Sequence, residues 1–217
     1  SPPYALGKSI RLSGNAAMSE KSSPYVGDDD ASDEWPGMMS AWFDVAVDVA
    51  GAVLTNVQPL AGNKRDLMQW IADRRDRLVD VVVWDKGHAA PQMAAGVLAS
   101  QYEWVVIMAD PGASRSVPYS SWRGTVSSVY SAPPQRQNEY SKIHAATFPL
   151  HLPEWVLMTL CDEAASVYDP FLGSGTTAIA AANRGRKCYG MEISPAYAQV
   201  SIERLAAHIG ETPERAK

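Results

Sequence analysis

Only two cysteines, Cys161 and Cys188, occur in the 217 residues, and they lack C-x-x-C spacing. That excludes a disulfide-stapled scaffold and leaves no zinc pattern; free thiols buried in a reducing compartment are expected. No apolar run approaches the roughly 18 residues of a membrane span, because Asp44 and Asp48 interrupt the best candidate. A charged-then-apolar leader is also missing, so neither secretion nor membrane insertion is expected, and the cytoplasm is the expected location. His88, His151 and His208 have no metal-like spacing, and no metal is expected. There is no basic excess. The net charge is -5, which weighs mildly against a nucleic-acid partner, although a local basic patch can outweigh a global sum. What remains is ordinary for a globular chain, with 46% apolar and 20% charged residues. The length suits one domain, or one domain with an insertion, able to bury a substantial core.

Strand and helix signals alternate along most of the chain. Residues 5–37 show no period, carry turn formers and sum to a charge of -3. They read as a long loop, of the kind that acts as a lid or a partner surface. Met39, Trp42, Phe43, Val47 and Ala50 fit helical spacing within 38–55. "AVLTNVQ" reads as a short strand, and "NKRDLMQWIADRRDR" as an amphipathic helix with Leu67, Trp70 and Ile71 on one face. "LVDVVVWDK" and "EWVVIMA" read as strands, the second apolar on both faces like a covered central strand. Residues 111–141 break the pattern with Ser, Pro, Tyr and Arg. Over 111–150, Arg115, Arg123, Arg136 and Lys142 against Glu139 make an island of +3. Beyond it come a helix with Pro153 in its first turn, the strand "SVYDP", the helix "TTAIAAANRG" closed by Gly185, and the strand "KCYGMEI". Ser194 and Pro195 cap a last helix, whose Ala198, Ile202, Leu205 and Ile209 predict its buried stripe. The alternation favours an α/β layered fold with a mainly parallel sheet.

"DPFLGSGTTAIAAANRGRKCYGMEIS", residues 169–194, carries the chemistry. It is a strand end, a glycine loop, a helix start and a second strand ending in one acid. Gly173 and Gly175 let backbone and ligand approach closely, and free N–H groups at the helix start favour an anionic group. A phosphate-binding P-loop needs Lys-Ser/Thr after the last glycine, where Thr176-Thr177 stand. A dinucleotide fingerprint needs a third glycine, which is absent, although Glu192 ends the next strand where an acid binds ribose hydroxyls. A ribose, a carboxylate near the helix start and no demand for a pyrophosphate suggest S-adenosylmethionine. A dehydrogenase cofactor and a tight turn that only packs helix on sheet stay open.

Five segments together resemble the methyltransferases that modify exocyclic amines in DNA. "DPFLGSGTTAIAA" is similar to their methionine-side motif, and "YGMEISPAYAQVSIERL" to the segment after it. "KIHAATFPLHLPEWV" resembles their cofactor-covering segment, "SPPY" their catalytic tetrapeptide, and "VVVWDKGHAAP…SQYEWVVIM" their target-side strands. The order, with tetrapeptide first and cofactor loop last, resembles the permuted β-group. This implies a Rossmann-like S-adenosylmethionine-dependent methyltransferase sheet with helices on both faces. It also implies a single domain over 1–217, with a catalytic and target-side half at 1–110, a short target-recognition insert at 111–141 and a cofactor-binding half at 142–217.

By that resemblance, Lys142, His144, Asp169, Pro170, Phe171, Gly173, Ser174, Gly175, Thr176 and Glu192 hold the cofactor. Asp169 accepts from the methionine ammonium, and Phe171 lies against the adenine. Ser1, Pro2, Pro3 and Tyr4 act on the target amine. The Ser1 hydroxyl and the Pro2 carbonyl accept its hydrogen bonds, the prolines fix the turn, and Tyr4 stacks on a base flipped out of the duplex. Asp85-Lys86 matches a strand end near that base, a surface ion pair being the plainer reading. Ser at the tetrapeptide's first position leans towards cytosine N4, with adenine N6 the alternative. Arg115, Arg123 and Arg136 are the expected phosphate contacts on double-stranded DNA, in the setting of restriction–modification.

A strand and its predecessor are expected before "SPPY", yet Ser1 is the first residue. Without them the strands 166–170 and 187–193 have no neighbour joining them to 53–57, 79–85 and 103–109. Folded proteins avoid such unpaired edges. The expectation is therefore a piece of a longer protein lacking about 20–30 residues of two strands, or a homodimer partner or covalently linked upstream segment that supplies them. The competing functional class is a degenerate module that keeps the cofactor fold and touches DNA without catalysis.

Overall fold

Strand direction is where the sequence is least informative, and the computed structural model resolves it. It describes Pro2 and residues 34–89, 95–112, 116–117, 120, 122–134 and 149–214. The chain divides into two units, whose described parts are Pro2 with 34–134, and 149–214. The division falls after Pro134, inside the stretch set apart by its composition.

In the first unit, α1 (Trp35–Val49), β1 (Ala52–Val57), α2 (Lys64–Ala72), β2 (Leu78–Asp85), β3 (Tyr102–Ala109) and β4 (Val129–Ser131) follow in order. Trp35, Met39, Phe43 and Ala46 recur on one face of α1 and are buried. Val53, Thr55 and Val57 alternate inward along β1. The buried α1 residues, Val53 and Val57 of β1, Leu67 and Trp70 of α2, and Val106 and Met108 of β3 form one core cluster. Each large side chain taken fully out of water there contributes about 1.5–3 kcal/mol. The Trp70 indole donates to the Met39 carbonyl (3.2 Å), so its polar atom is satisfied inside that core. Arg74 lies over the Phe43 and Trp70 rings, 5.0 and 5.2 Å from their centroids, and closes the cluster towards solvent beside Asp44.

The sheet order is β1-β3-β2-β4. The α/β layering is as expected, but the mainly parallel sheet is not. β3 runs antiparallel to both β1 and β2, and the parallel pair in this sheet is β2 with β4. A doubly covered strand needs a central place, and either direction provides it. Val105 to Ala109 are all buried, as a central strand requires, yet their side chains carry no signal of polarity.

The second unit contains α3 (His151–Leu160), β5 (Val167–Asp169), α4 (Thr176–Asn183), β6 (Cys188–Gly190) and α5 (Pro195–Ile209). β5 and β6 are parallel, joined through α4, and among the described residues they pair only with each other. Ala180 and Ala181 let α4 lie close on Leu157, Val167 and Cys188. The predicted stripe of α5 is only in part its packed face: Ala198 and Leu205 are half-buried, whereas Ile202 and Ile209 are 38% and 42% exposed. Ser201 is the buried residue of that helix, flanked by half-buried Tyr197 and Arg204. The face is chosen by closeness to a glycine, which demands a small side chain more than an apolar one.

Candidate active site

The glycine loop leaves β5 at Asp169, directly opposite Gly190 at the end of β6. Each turn of it is tied. The Phe171 N–H donates to Asp169 Oδ1, the Leu172 N–H to the Met191 carbonyl, and the Gly175 N–H to the Leu172 carbonyl, all at 2.9 Å. Gly173 and Gly175 adopt φ of 54° and 80°, the left-handed region that other residues enter only with strain. A side chain on Gly175 would stand 3.0 Å from Ser201 Cβ, so the glycine also sets how closely α5 approaches.

Glu192, just past β6, spans the site. Its Oε2 accepts from the Gly173 N–H and its Oε1 from the Ser194 N–H, both at 2.9 Å. Each carboxylate oxygen has a second lone pair, so the group can still accept from a ligand while it holds the loop. Ser194 in turn caps α5 by accepting from Tyr197, as its position before Pro195 predicts. Asp169 is 7% exposed. Among the described residues neither Asp169 nor Glu192 has a cationic side chain in ion-pair contact. Two carboxylates held by backbone N–H groups suit a positively charged ligand with hydroxyls.

The charge of Asp169 reaches its neighbours. Burial first, and then that charge, push the Cys188 thiol up to about 12; burial also raises Cys161. Both thiols are free and half-buried. At pH 8 the thiolate fraction of Cys188 is about 10⁻⁴. The folded state keeps this proton, so the group's contribution to stability is whole below the unfolded thiol's pKa and declines from about pH 9 to about 12. We expect Cys188 in the folded protein to resist iodoacetamide at pH 8 while the urea-unfolded chain reacts; equal labelling, read by peptide mass spectrometry, would contradict this. Burial favours the protonated form of both thiols, which fits chemistry without a covalent thiol intermediate.

Of the expected cofactor residues, the structure brings together Asp169, Pro170, Phe171, Gly173, Ser174, Gly175, Thr176 and Glu192. Lys142 and His144 lie outside the described residues, as do Ser1, Pro3, Tyr4, Arg115 and Arg136. Pro2 is buried and Arg123 is exposed, both in the first unit. Asp85 and Lys86 do not pair. Lys86 Nζ reaches Glu103 across the strands at 3.3 Å. Asp85 accepts from Gln101 Nε2 and the Gly87 N–H, which hold its carboxyl below the usual range, Gln101 most strongly. Trp84 is core, its indole donating to the Ala132 carbonyl.

Two residues escaped the sequence reading. Ile193, next to Glu192, is 81% exposed, an apolar surface beside a carboxylate where a ligand's ring could rest. Arg204 Nη1 donates to the Ser174 carbonyl (3.0 Å), Ser174 Oγ (3.2 Å) and Thr176 Oγ1 (3.0 Å). For Arg204 the only local signal was its place in "IERL"; the contact spans 30 residues of chain.

Known proteins resemble this chain in sequence and in fold. The orphan methyltransferase M.BamHII of Bacillus amyloliquefaciens is 46% identical over 66 residues, covering 30% of this chain and 25% of that protein. The matched curated relatives are spanned over 21–44% of their lengths. Among solved structures, the M1.HpyAVI complex with SAM superimposes with a TM-score of 0.62 at 18% identity, covering 80% of this chain and 84% of that one. The PvuII cytosine-N4-specific DNA methyltransferase does so with a TM-score of 0.62 at 19% identity, covering 78% and 70%. These likenesses establish the fold. Residues 1–203 match the family of N6/N4 type described as DNA methylase, nearly the whole chain, and the protein belongs to that DNA methylase family.

Proposed function

We propose that this protein transfers a methyl group from S-adenosylmethionine to the exocyclic amine of a flipped DNA base, cytosine N4 rather than adenine N6. The observation that carries the reading is the pair of carboxylates, Asp169 and Glu192, set at the ends of two adjacent parallel strands around a left-handed glycine loop. Ligands of α/β sheets bind at such strand ends.

The residues present fit the cofactor. Asp169 would accept from its ammonium group and Glu192 from its ribose hydroxyls, with Phe171 and Ile193 as apolar surfaces for the adenine. Lys142 and His144 would cover it. Bound there, the cofactor supplies an electrophilic methyl group on a sulfonium sulfur. The chain's remaining work is on the base. An exocyclic amine is a poor nucleophile because its lone pair is delocalised into the ring. Hydrogen bonds from the amine to the Ser1 hydroxyl and the Pro2 carbonyl turn that lone pair outward and stabilise the positive charge that develops on nitrogen. Tyr4 stacks on the extruded base and holds its plane. Ser1 at the head of the tetrapeptide favours cytosine.

Duplex DNA is the substrate in this reading, with Arg115, Arg123 and Arg136 on phosphates and 111–141 as the recognition segment. Several relatives are named Type II methyltransferases and one an orphan methyltransferase, names that support a restriction–modification setting for this reading without requiring a restriction partner. Nucleoside mass spectrometry of DNA from cells expressing the full gene tests it. N4-methylcytosine above background is expected; N6-methyladenine instead would move the target base, and neither would leave a binding module without catalysis.

Stacking by Tyr4 is worth about 1–3 kcal/mol on the pattern of aromatic–base contacts. We expect Tyr4→Ala to lower methyl transfer roughly 5- to 150-fold by that energy with cofactor affinity nearly intact, and Tyr4→Phe to keep substantial activity. Parallel loss of both properties in Tyr4→Ala would make Tyr4 a structural residue.

A further inference from the structure

The glycine loop is gripped from two sides, and the second grip concerns one peptide group. Glu192 holds the Gly173 N–H from the β6 side. From the α5 side, Arg204 takes the Ser174 carbonyl, while the N–H of the same peptide, on Gly175, is taken by the Leu172 carbonyl at 2.9 Å. The Ser174–Gly175 peptide is therefore pinned at both ends. Glycine at φ 80° would otherwise let that peptide rotate with little steric resistance. The guanidinium stands beside the first turn of α4, where a cation meets the positive end of the helix dipole. The Ser174 carbonyl and the Ser174 and Thr176 hydroxyls offset that placement. These contacts tie the guanidinium to the loop and to the first turn of α4 at once, a link between two segments rather than within one helix.

We propose that Arg204 is a positioning residue for the cofactor: by locking the Ser174–Gly175 peptide it keeps the Ser174 carbonyl turned to α5, so that the loop does not present that acceptor to its ligand. The inference rests on the S-adenosylmethionine reading of the site. Rotation of the peptide would turn an acceptor towards the ligand's carboxylate and lose the complementarity of the helix start.

Amide hydrogen exchange and calorimetry on the full gene product test it, with wild type, Arg204→Ala and Arg204→Lys compared. Arg204→Ala should raise exchange at Gly175 and weaken S-adenosylmethionine binding, each by about tenfold or more, the loss expected for charge-assisted hydrogen bonds. Exchange at Ala180 and Ala181 should stay near wild type, and kcat at saturating cofactor should change far less than KM. Arg204→Lys, which keeps the charge and some donors, should recover part of the affinity. Unchanged loop exchange, unchanged affinity, or equal rises in the loop and along α4 would overturn the proposal. Should Arg204→Ala not fold, Thr176→Val removes one of the three acceptors and must move the same two readings; no movement overturns the proposal. If wild type keeps its loop protection yet binds no cofactor, the cofactor reading fails. If wild type and variant bind equally well, the role of Arg204 alone fails.

Discussion

Gly175→Ala is expected to destabilise the cofactor loop by about 2–5 kcal/mol, the largest single effect in the site. A left-handed residue with a Cβ costs about 1–2 kcal/mol. The added carbon would also stand 3.0 Å from Ser201 Cβ, 3.3 Å from its Cα and 3.4 Å from its carbonyl oxygen. Two of those atoms are backbone, so α5 itself must shift, and forced overpacking adds about 1–3 kcal/mol. Gly185 is the control. It has φ 63° but open space where its Cβ would be, so Gly185→Ala should lose only the conformational part. Urea unfolding of both variants, with S-adenosylmethionine titrations, separates strain from crowding. Equal losses would mean that the close approach of α5 to the loop is not needed.

Glu192→Ala should weaken cofactor binding at least tenfold, and by up to about a hundredfold, because charge-assisted hydrogen bonds of about 1.5–3 kcal/mol are lost. The structure adds a reason absent from a ribose contact alone. The same carboxylate holds the Gly173 and Ser194 N–H groups, so its removal frees the loop and the entry to α5 together. Glu192→Gln keeps one acceptor and the shape but sets an NH₂ group against one of two N–H donors, and an intermediate affinity is expected. Calorimetry reads both. An unchanged affinity in Glu192→Ala would move the ribose elsewhere and remove the main support of the cofactor reading.

The loop and its acid were legible in the sequence because their chemistry is local. Glycines at 173 and 175 announce left-handed turns, an acid after the next strand announces a hydroxyl acceptor, and Ser194-Pro195 announces a helix start. The structure shows the left-handed turns and the capped helix, and it sets the acid against the loop, where its carboxylate accepts from the Gly173 N–H. The placement of Ser1, Pro3, Tyr4, Lys142 and His144 rests on the resemblance of their segments, and their positions lie outside the described residues.

Thus the sequence by itself determined the order of strands and helices outside 111–141, where it missed β4, together with the turn at the glycine loop, the caps and the carboxylate pair, since these depend on backbone preferences and short-range hydrogen bonds. It could not set the direction of β3, because burial on both faces is satisfied by either sense. Nor could it choose the packed face of α5, where the apolar stripe of Ile202 and Ile209 yields to Ser201. Only the tertiary structure decided these, together with the grip of Arg204 on Ser174. Each is a contact between residues far apart in the chain, and its geometry depends on how closely two packed backbones can approach, which no local pattern records.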